Sequence, residues 1–221
     1  ADPGDEIIVF EPFYTNYNGF ASLLDIKLKP VTLTIENGFH LPSRQEIEKN
    51  INEKTKGIII TNPNNPTGTV YTRQELSDLA SLVEKNNLFV INDEVYREFV
   101  FGQAEFCSLF NFENIKNNII LIDSVSKRFN ACGARVGCLA SYNKNIVETV
   151  VKFAQARLSS PTIEQEVFMP LLINSQAYIN NLLAEYKKRR ETVRKELEKI
   201  SGLTYHFPEG SFYIIVGLPI D

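Results

Sequence analysis

"GIIITNPNNPTGTVYTRQELSDLASLVEKNNLFVINDEV", residues 57–95, contains two apolar runs with a patterned stretch between them. "GIIITNP" and "LFVINDEV" are apolar at nearly every position, which predicts strands covered on both faces, as in a mostly parallel sheet. Between them Thr72 and Glu75 form a capping-box pattern, and Leu76, Leu79, Ala80 and Val83 share one face at helical spacing. Strand, helix, strand in that order means an open α/β sheet.

The same alternation extends in both directions. "EIIVFEP", "DIKLKPVTL", "NIILIDSVS" and "VGCLAS" read as further short strands, and "SRQEIEKNI" opens with a second capping box, Ser43 and Glu46. In open α/β sheets, ligands sit at the carboxyl ends of the strands. No internal repeat or low-complexity segment interrupts the pattern. After about Lys144 the chain turns helical, with "NKNIVETVVKFAQARL" followed by a longer candidate, "SQAYINNLLAEYKKRRETVRKELEKIS", whose Val193, Leu197 and Ile200 share a face. Its "KKRR" block is interleaved with Glu191, Glu196 and Glu198, and Glu191 to Lys195 is a favourable pair four residues apart. That reads as a solvated helix face. "LTYHFPEGSFYIIVGLPID" looks like a strand beginning a second, smaller unit.

Composition narrows the class. Of 221 residues 43 % are apolar and 23 % charged, an ordinary globular balance, and the net charge of −4 gives no reason to expect nucleic acid or an acidic membrane surface. Cys107, Cys132 and Cys138 form no C-x-x-C and read as free thiols in a reducing compartment, packed as small core residues. No apolar run approaches the roughly 18 residues of a membrane span. The expectation is a soluble, cytoplasmic chain. His40 and His206 are far apart in sequence, so no histidine-based metal site is expected.

The chemistry-bearing residues cluster where strands end. "TNPNNPTG" follows a buried strand, and Asn65 stands between prolines that stiffen its turn, although composition alone also suits a plain loop. Asp93 follows the next strand directly, with Tyr96 three residues on. A magnesium-holding acid would sit in the same place, but it needs a G-x-x-x-x-G-K-[ST] loop, and the chain has none. "DSVSKRFNACGARVGC", residues 123–138, supplies Ser124, Lys127 and Arg135 after a third strand. An amine, a hydroxyl and a guanidinium in one loop suit an anionic cofactor that is also held covalently. Gly133 and Gly137 read as allowing a tight backbone around Arg135.

The set N-P-N-N-P-T-G, then D-E-V-Y, then S-V-S-K with an arginine eight residues after the lysine, resembles the class I/II aminotransferases that use pyridoxal 5′-phosphate, most of all the aspartate aminotransferase-like branch. The similarity runs from "PGDEIIVFEPFYTNY" to "PEGSFYIIV". It implies a large α/β cofactor domain with a seven-stranded, mostly parallel sheet flanked by helices, of which residues 1–175 are a part. It also implies a long connecting helix, residues 176–202, and the start of a small α/β domain, residues 203–221.

The resemblance further implies residue roles. Lys127 matches the family's Schiff-base lysine, which also serves as general base and acid, and Asp93 matches the carboxylate facing the pyridine nitrogen. Asn65 and Tyr96 match the pair that hydrogen-bond the ring's 3′ oxygen, Ser124 and Arg135 match phosphate anchors, and Tyr14 falls where an aromatic side chain stacks on the ring. Tyr96 is counted with Lys127 and Asp93 among the catalytic residues. The implied reaction moves an amino group between an amino acid, aspartate-like or another L-amino acid, and a 2-oxo acid, in a homodimer. A lyase on the same scaffold and a cofactor-binding sensor domain of a transcription regulator share these motifs. Measured against the family pattern, the chain is expected to be a fragment lacking N-terminal and C-terminal parts, and inactive by itself.

Overall fold

The computed structural model describes residues 1–219. Its centre is a six-stranded sheet in the order β2 (Lys27–Thr32), β1 (Glu6–Glu11), β3 (Thr55–Thr61), β4 (Phe89–Asp93), β5 (Ile119–Ser124) and β6 (Gly137–Ala140). All neighbours are parallel except β5 and β6, which pair antiparallel from Leu121↔Ala140 to Ser124↔Gly137. The expected mostly parallel α/β sheet is present, with six strands among the described residues where the family resemblance implied seven.

One face of the sheet is closed by a helix, whereas Ile59, Ile91, Ile120 and Ile122 on the other face are only half-buried, short of the two-sided cover that the apolar runs predict. Ile8, Phe10, Ile58, Ile60, Val90, Ile119 and Leu121 form one core with the inner face of α3 (Arg73–Lys85), namely Leu76, Leu79, Ala80, Leu82 and Val83. Each of these side chains other than Ala80 contributes about 1.5–3 kcal/mol by leaving water. Both capping boxes form, on α3 and on α2 (Arg44–Glu48). In α3 the Thr72 hydroxyl accepts from the Glu75 N–H, and the Glu75 carboxylate accepts from the Thr72 N–H at 2.7 Å. Glu75 also takes the Leu41 N–H at 2.7 Å and lies 3.1 Å from the His40 ring, so one side chain starts the helix and pins the 38–41 loop.

Three further helices follow the sheet: α5 (Lys144–Arg157), α6 (Thr162–Ile173) and α7 (Gln176–Leu197). The sequence pattern did not isolate α6. In α7 the charges pair otherwise than expected: Glu191 meets Arg190, not Lys195, while Arg189–Glu185 and Arg194–Glu198 form four-residue pairs. Val193 and Ile200 remain exposed. No helix among the described residues is long and apolar enough to cross a membrane.

After α7 the chain forms two two-residue strands, β7 (Thr204–Tyr205) and β8 (Val216–Gly217), paired antiparallel, rather than the single strand expected; Ile220 and Asp221 lie outside the described residues. The segment between them docks on the sheet body. Glu209 and Gly210 both donate to the Gly68 carbonyl, at 2.9 and 2.7 Å, and Ser211 donates to Phe99 at 2.9 Å. Phe212 and Tyr213 join an aromatic cluster with Tyr96, Phe99 and Tyr186. The approach is close enough that glycines line it: a Cβ on Gly38 would stand 2.6 Å from His206, and one on Gly68 would run into Pro208. His40 and His206, remote in sequence, have ring centroids 6.5 Å apart.

Two outcomes are expected. Gly68→Ala adds a methyl where Pro208 sits and strains a backbone at φ +74°, so about 1–3 kcal/mol of stability is lost and residues 203–217 come loose. Limited proteolysis should cut first in that segment, and an uncut segment would contradict the packing argument. His40 is raised above its ordinary pKa, mainly by its hydrogen bond to Glu75. Glu75 is held low because bonds from His40 and Thr72 outweigh burial. The histidine's contribution is therefore fully present below about pH 6.5 and is lost as pH rises through its folded value. Urea unfolding of His40→Ala should fall short of the unsubstituted chain by about 0.5–1 kcal/mol near pH 5.5, with the gap closing at alkaline pH.

Candidate active site

Parallel strands that end in register bring their following loops together. Thr61 pairs with Asp93 across β3 and β4, and Asp93 with Ile122 across β4 and β5. Everything after those positions therefore emerges at one edge.

The β3 loop is held by its own amides. Asn62 donates to the Cys107 carbonyl at 3.1 Å and accepts from the Tyr71 N–H at 3.0 Å; Asn64 accepts from the Thr67 N–H and hydroxyl at 3.2 and 3.0 Å. With both neighbours committed inward, Asn65 points at the edge and donates to the Tyr96 hydroxyl at 3.4 Å. Tyr96 in turn lies 3.0 Å from the hydroxyl of Tyr213. Burial, with Tyr213 next, pushes the Tyr96 phenol well above its ordinary range.

Asp93 ends β4. Its Oδ1 accepts from the Val95 N–H at 3.2 Å and its Oδ2 from the Tyr17 hydroxyl at 3.0 Å, and no cation stands within ion-pair distance of it among the described residues. Burial raises its pKa, opposed by those two bonds; the charge of Asp123 raises it further, and the more distant charge of Lys127 lowers it. Tyr17 comes from α1 (Asn16–Leu23), which follows β1, and also touches the Thr61 hydroxyl at 2.9 Å. Desolvation and the Asp93 charge keep this phenol protonated and donating.

Ser124 ends β5 and caps the one-turn helix α4 (Val125–Arg128), its hydroxyl accepting from Ser126 N–H at 3.1 Å. Lys127 lies on that turn with Nζ 3.8 Å from the Cys132 sulfur. Arg135 has φ +54°, and its Nη1 donates to the Cys132 carbonyl at 3.1 Å. The left-handed residue in this turn is thus the arginine itself. A Cβ on Gly133 would meet open space, whereas one on Gly137 would stand 3.0 Å from the Asp123 carbonyl, so only the second glycine is sterically required.

Tyr14, Asn65, Asp93, Tyr96, Ser124, Lys127 and Arg135 line one cavity of about 220 Å³, with Thr61, Val95, Ser126, Cys132 and Tyr213 completing the wall. The structure brings every residue singled out from sequence to one place. It adds three that were not singled out. Tyr17 lies on the first turn after Tyr14 and has its edge against it, with ring centroids 5.7 Å apart. Tyr213 arrives from the far end of the chain and had no local signal. Cys132, read as a core residue, is exposed, as is Cys138; of the three thiols only Cys107 is buried.

The match to known proteins covers nearly the whole chain. The family described as Aminotransferase class I and II matches residues 1–220. An aspartate aminotransferase of Thermotoga maritima is 35 % identical over 96 % of this chain and 55 % of its own length. A probable aspartate/prephenate aminotransferase of Aquifex aeolicus is 32 % identical over 96 % and 55 %. An alanine aminotransferase from Pyrococcus furiosus superposes with a TM-score of 0.92 at 29 % identity, covering 100 % of this chain and 57 % of that one. The chain therefore spans about half the length of the curated relatives it matches.

Tyr17→Phe removes one of the two donors that favour ionised Asp93. The carboxyl should titrate higher still, and a ¹³C-carboxyl NMR titration should report the rise; an unmoved Asp93 resonance would mean that the phenol gives it no support.

Proposed function

The chain belongs to the class I and II aminotransferases, and on that premise we propose that it carries the cofactor-holding part of an enzyme that moves an amino group between an L-amino acid and a 2-oxo acid. Enzymes of this family depend on pyridoxal phosphate. The observation that carries the reading is Asp93, a largely buried carboxylate with two neutral donors, facing a cavity that also holds a lysine, an arginine and two serines. Such a carboxylate gains most from a cation arriving beside it, and a protonated pyridine nitrogen is one.

The rest of the donor set fits the same molecule: an amine for its aldehyde, an amide and a phenol for its ring oxygen, and a guanidinium with hydroxyls for its phosphate. When bound, the cofactor supplies a carbonyl that joins covalently to an amine and a ring that takes up electron density from the substrate. Asp93 holds the proton on the ring nitrogen. Asn65 and Tyr96 would orient the ring oxygen, and Tyr14, which lines the same cavity, would stack on the ring. Ser124 and Arg135 would hold the phosphate, the arginine by charge-assisted hydrogen bonding. Lys127 is the amine that forms the covalent link and, when free, moves the proton at the substrate's α-carbon.

In the same proposal residues 1–175 form part of the cofactor domain, 176–202 the connecting helix and 203–221 the start of a smaller domain. The intact enzyme is a cytoplasmic homodimer. The named residues all face the cofactor, while relatives are named for aspartate, aspartate/prephenate and alanine, so the amino acid's side chain is left open. Because the chain covers about half of those relatives, residues 1–221 alone should transaminate negligibly.

Borohydride reduction in the presence of excess pyridoxal phosphate tests the core of this reading. Peptide mapping should find the pyridoxyl group on Lys127, and a dominant adduct on another lysine would overturn it. Asp93→Asn should weaken cofactor binding about tenfold to a hundredfold, the worth of a charge-assisted hydrogen bond of about 1.5–3 kcal/mol.

A further inference from the structure

We propose that Arg128 is a positioning residue: its buried ion pairs with Asp123 and Glu98 fix the rotation of α4, and with it the direction of the neighbouring Lys127. The inference rests on the reading of Lys127 given above.

α4 is a single turn, Val125–Arg128. A helix this short has almost no stability of its own, so its orientation must be set by what its side chains grip. Consecutive residues on a helix point about 100° apart, the angle that 3.6 residues per turn imposes. Anchoring one therefore aims the next. Arg128 turns inward: Nη2 donates to Asp123 Oδ2 at 2.6 Å and Nε lies 2.8 Å from Glu98 Oε1, with only 12 % of the side chain exposed. Lys127, one step round, lines the cavity.

The two carboxylates belong to different parts of the sheet edge. Asp123 lies on β5, while Glu98 is in the loop that follows β4 and includes Tyr96. Arg128 thus ties the lysine turn to the loop that follows Asp93 and carries Tyr96. A second arginine, Arg97, approaches Glu98 only to 3.9 Å and Glu94 to 3.5 Å, so it does not substitute for Arg128 at Asp123. Val125, three residues before Arg128 and so on the same side of the turn, is buried, Ser124 caps the turn, and the buried Phe129 follows it. These hold the turn in place, but neither apolar contacts nor a hydroxyl cap specify rotation as a two-pronged ion pair does. Arg128 also keeps Asp123 neutralised beside Asp93, whose proton affinity the Asp123 charge raises.

Two variants separate position from stability. Arg128→Met leaves Asp123 without its cation and Glu98 with only the more distant Arg97, and should destabilise the chain. The triple variant Arg128→Met, Asp123→Asn, Glu98→Gln removes those charges and should regain most of the melting temperature. Both are treated with pyridoxal phosphate and borohydride, and the adduct at Lys127 is quantified by peptide mapping against the mean of the other lysines. The expected result is that this selectivity falls about tenfold or more in both variants, as misplacement of a reacting group does, while Arg128→Lys keeps part of it. Selectivity at the unsubstituted level in the stable triple variant would overturn the inference and leave the assignment of Lys127 intact. An adduct that avoids Lys127 in the unsubstituted chain would overturn both.

Discussion

A carboxylate is kept ionisable at the end of a parallel strand by one backbone N–H and one phenol, and much of the architecture exists to make that arrangement hold. Asp93 sits in register with Thr61 on one side and Ile122 on the other, so its position is as rigid as the sheet. Its phenol partner, Tyr17, comes from the helix after β1, which requires β1 to lie beside β3 in the same sheet. Removing water from such a group costs several kcal/mol unless donors replace it. Here two donors do so only in part, which leaves the carboxylate favouring a cation in the adjoining space.

Around that constraint the loops divide their labour. Asn62 and Asn64 spend their hydrogen bonds on the fold, so Asn65 can spend its own on Tyr96. Ser124 closes the first turn of α4, Arg128 holds the turn's underside, and Lys127 faces the opening. Adjacent residues of identical or similar chemistry thus carry separate tasks, and the backbone period decides which does which.

Local pattern made much of this readable in the sequence. The residue 57–95 unit was legible because two mainly apolar runs, a capping box and a 3.6-residue apolar stripe all agree within forty residues, and a strand, helix and strand form there. The site residues were legible as a set because strand ends in a parallel sheet converge, whatever the loops do. Tyr213 was not legible, since its contact with Tyr96 spans 117 positions and depends on glycine-lined docking that no local pattern announces. The partner of Glu191 was misread for the opposite reason: several cations lie within its reach on an exposed helix, and their energies differ by only tenths of a kcal/mol.

The docking of residues 206–213 has a consequence for how the molecule comes into being. The sheet needs nothing beyond Ala140 to pair all six strands, and most of its ladders join segments close in sequence. The cavity wall is different, because it closes only when Tyr213 reaches Tyr96 and the 206–213 strip settles on Gly38 and Gly68. During synthesis from the N-terminus the sheet can be in place while the chain that completes the cavity is still being made. Contacts of such long sequence separation form late. Until residues 206–213 dock, the edge that carries Tyr96 and Phe99 lacks its cover of Phe212 and Tyr213.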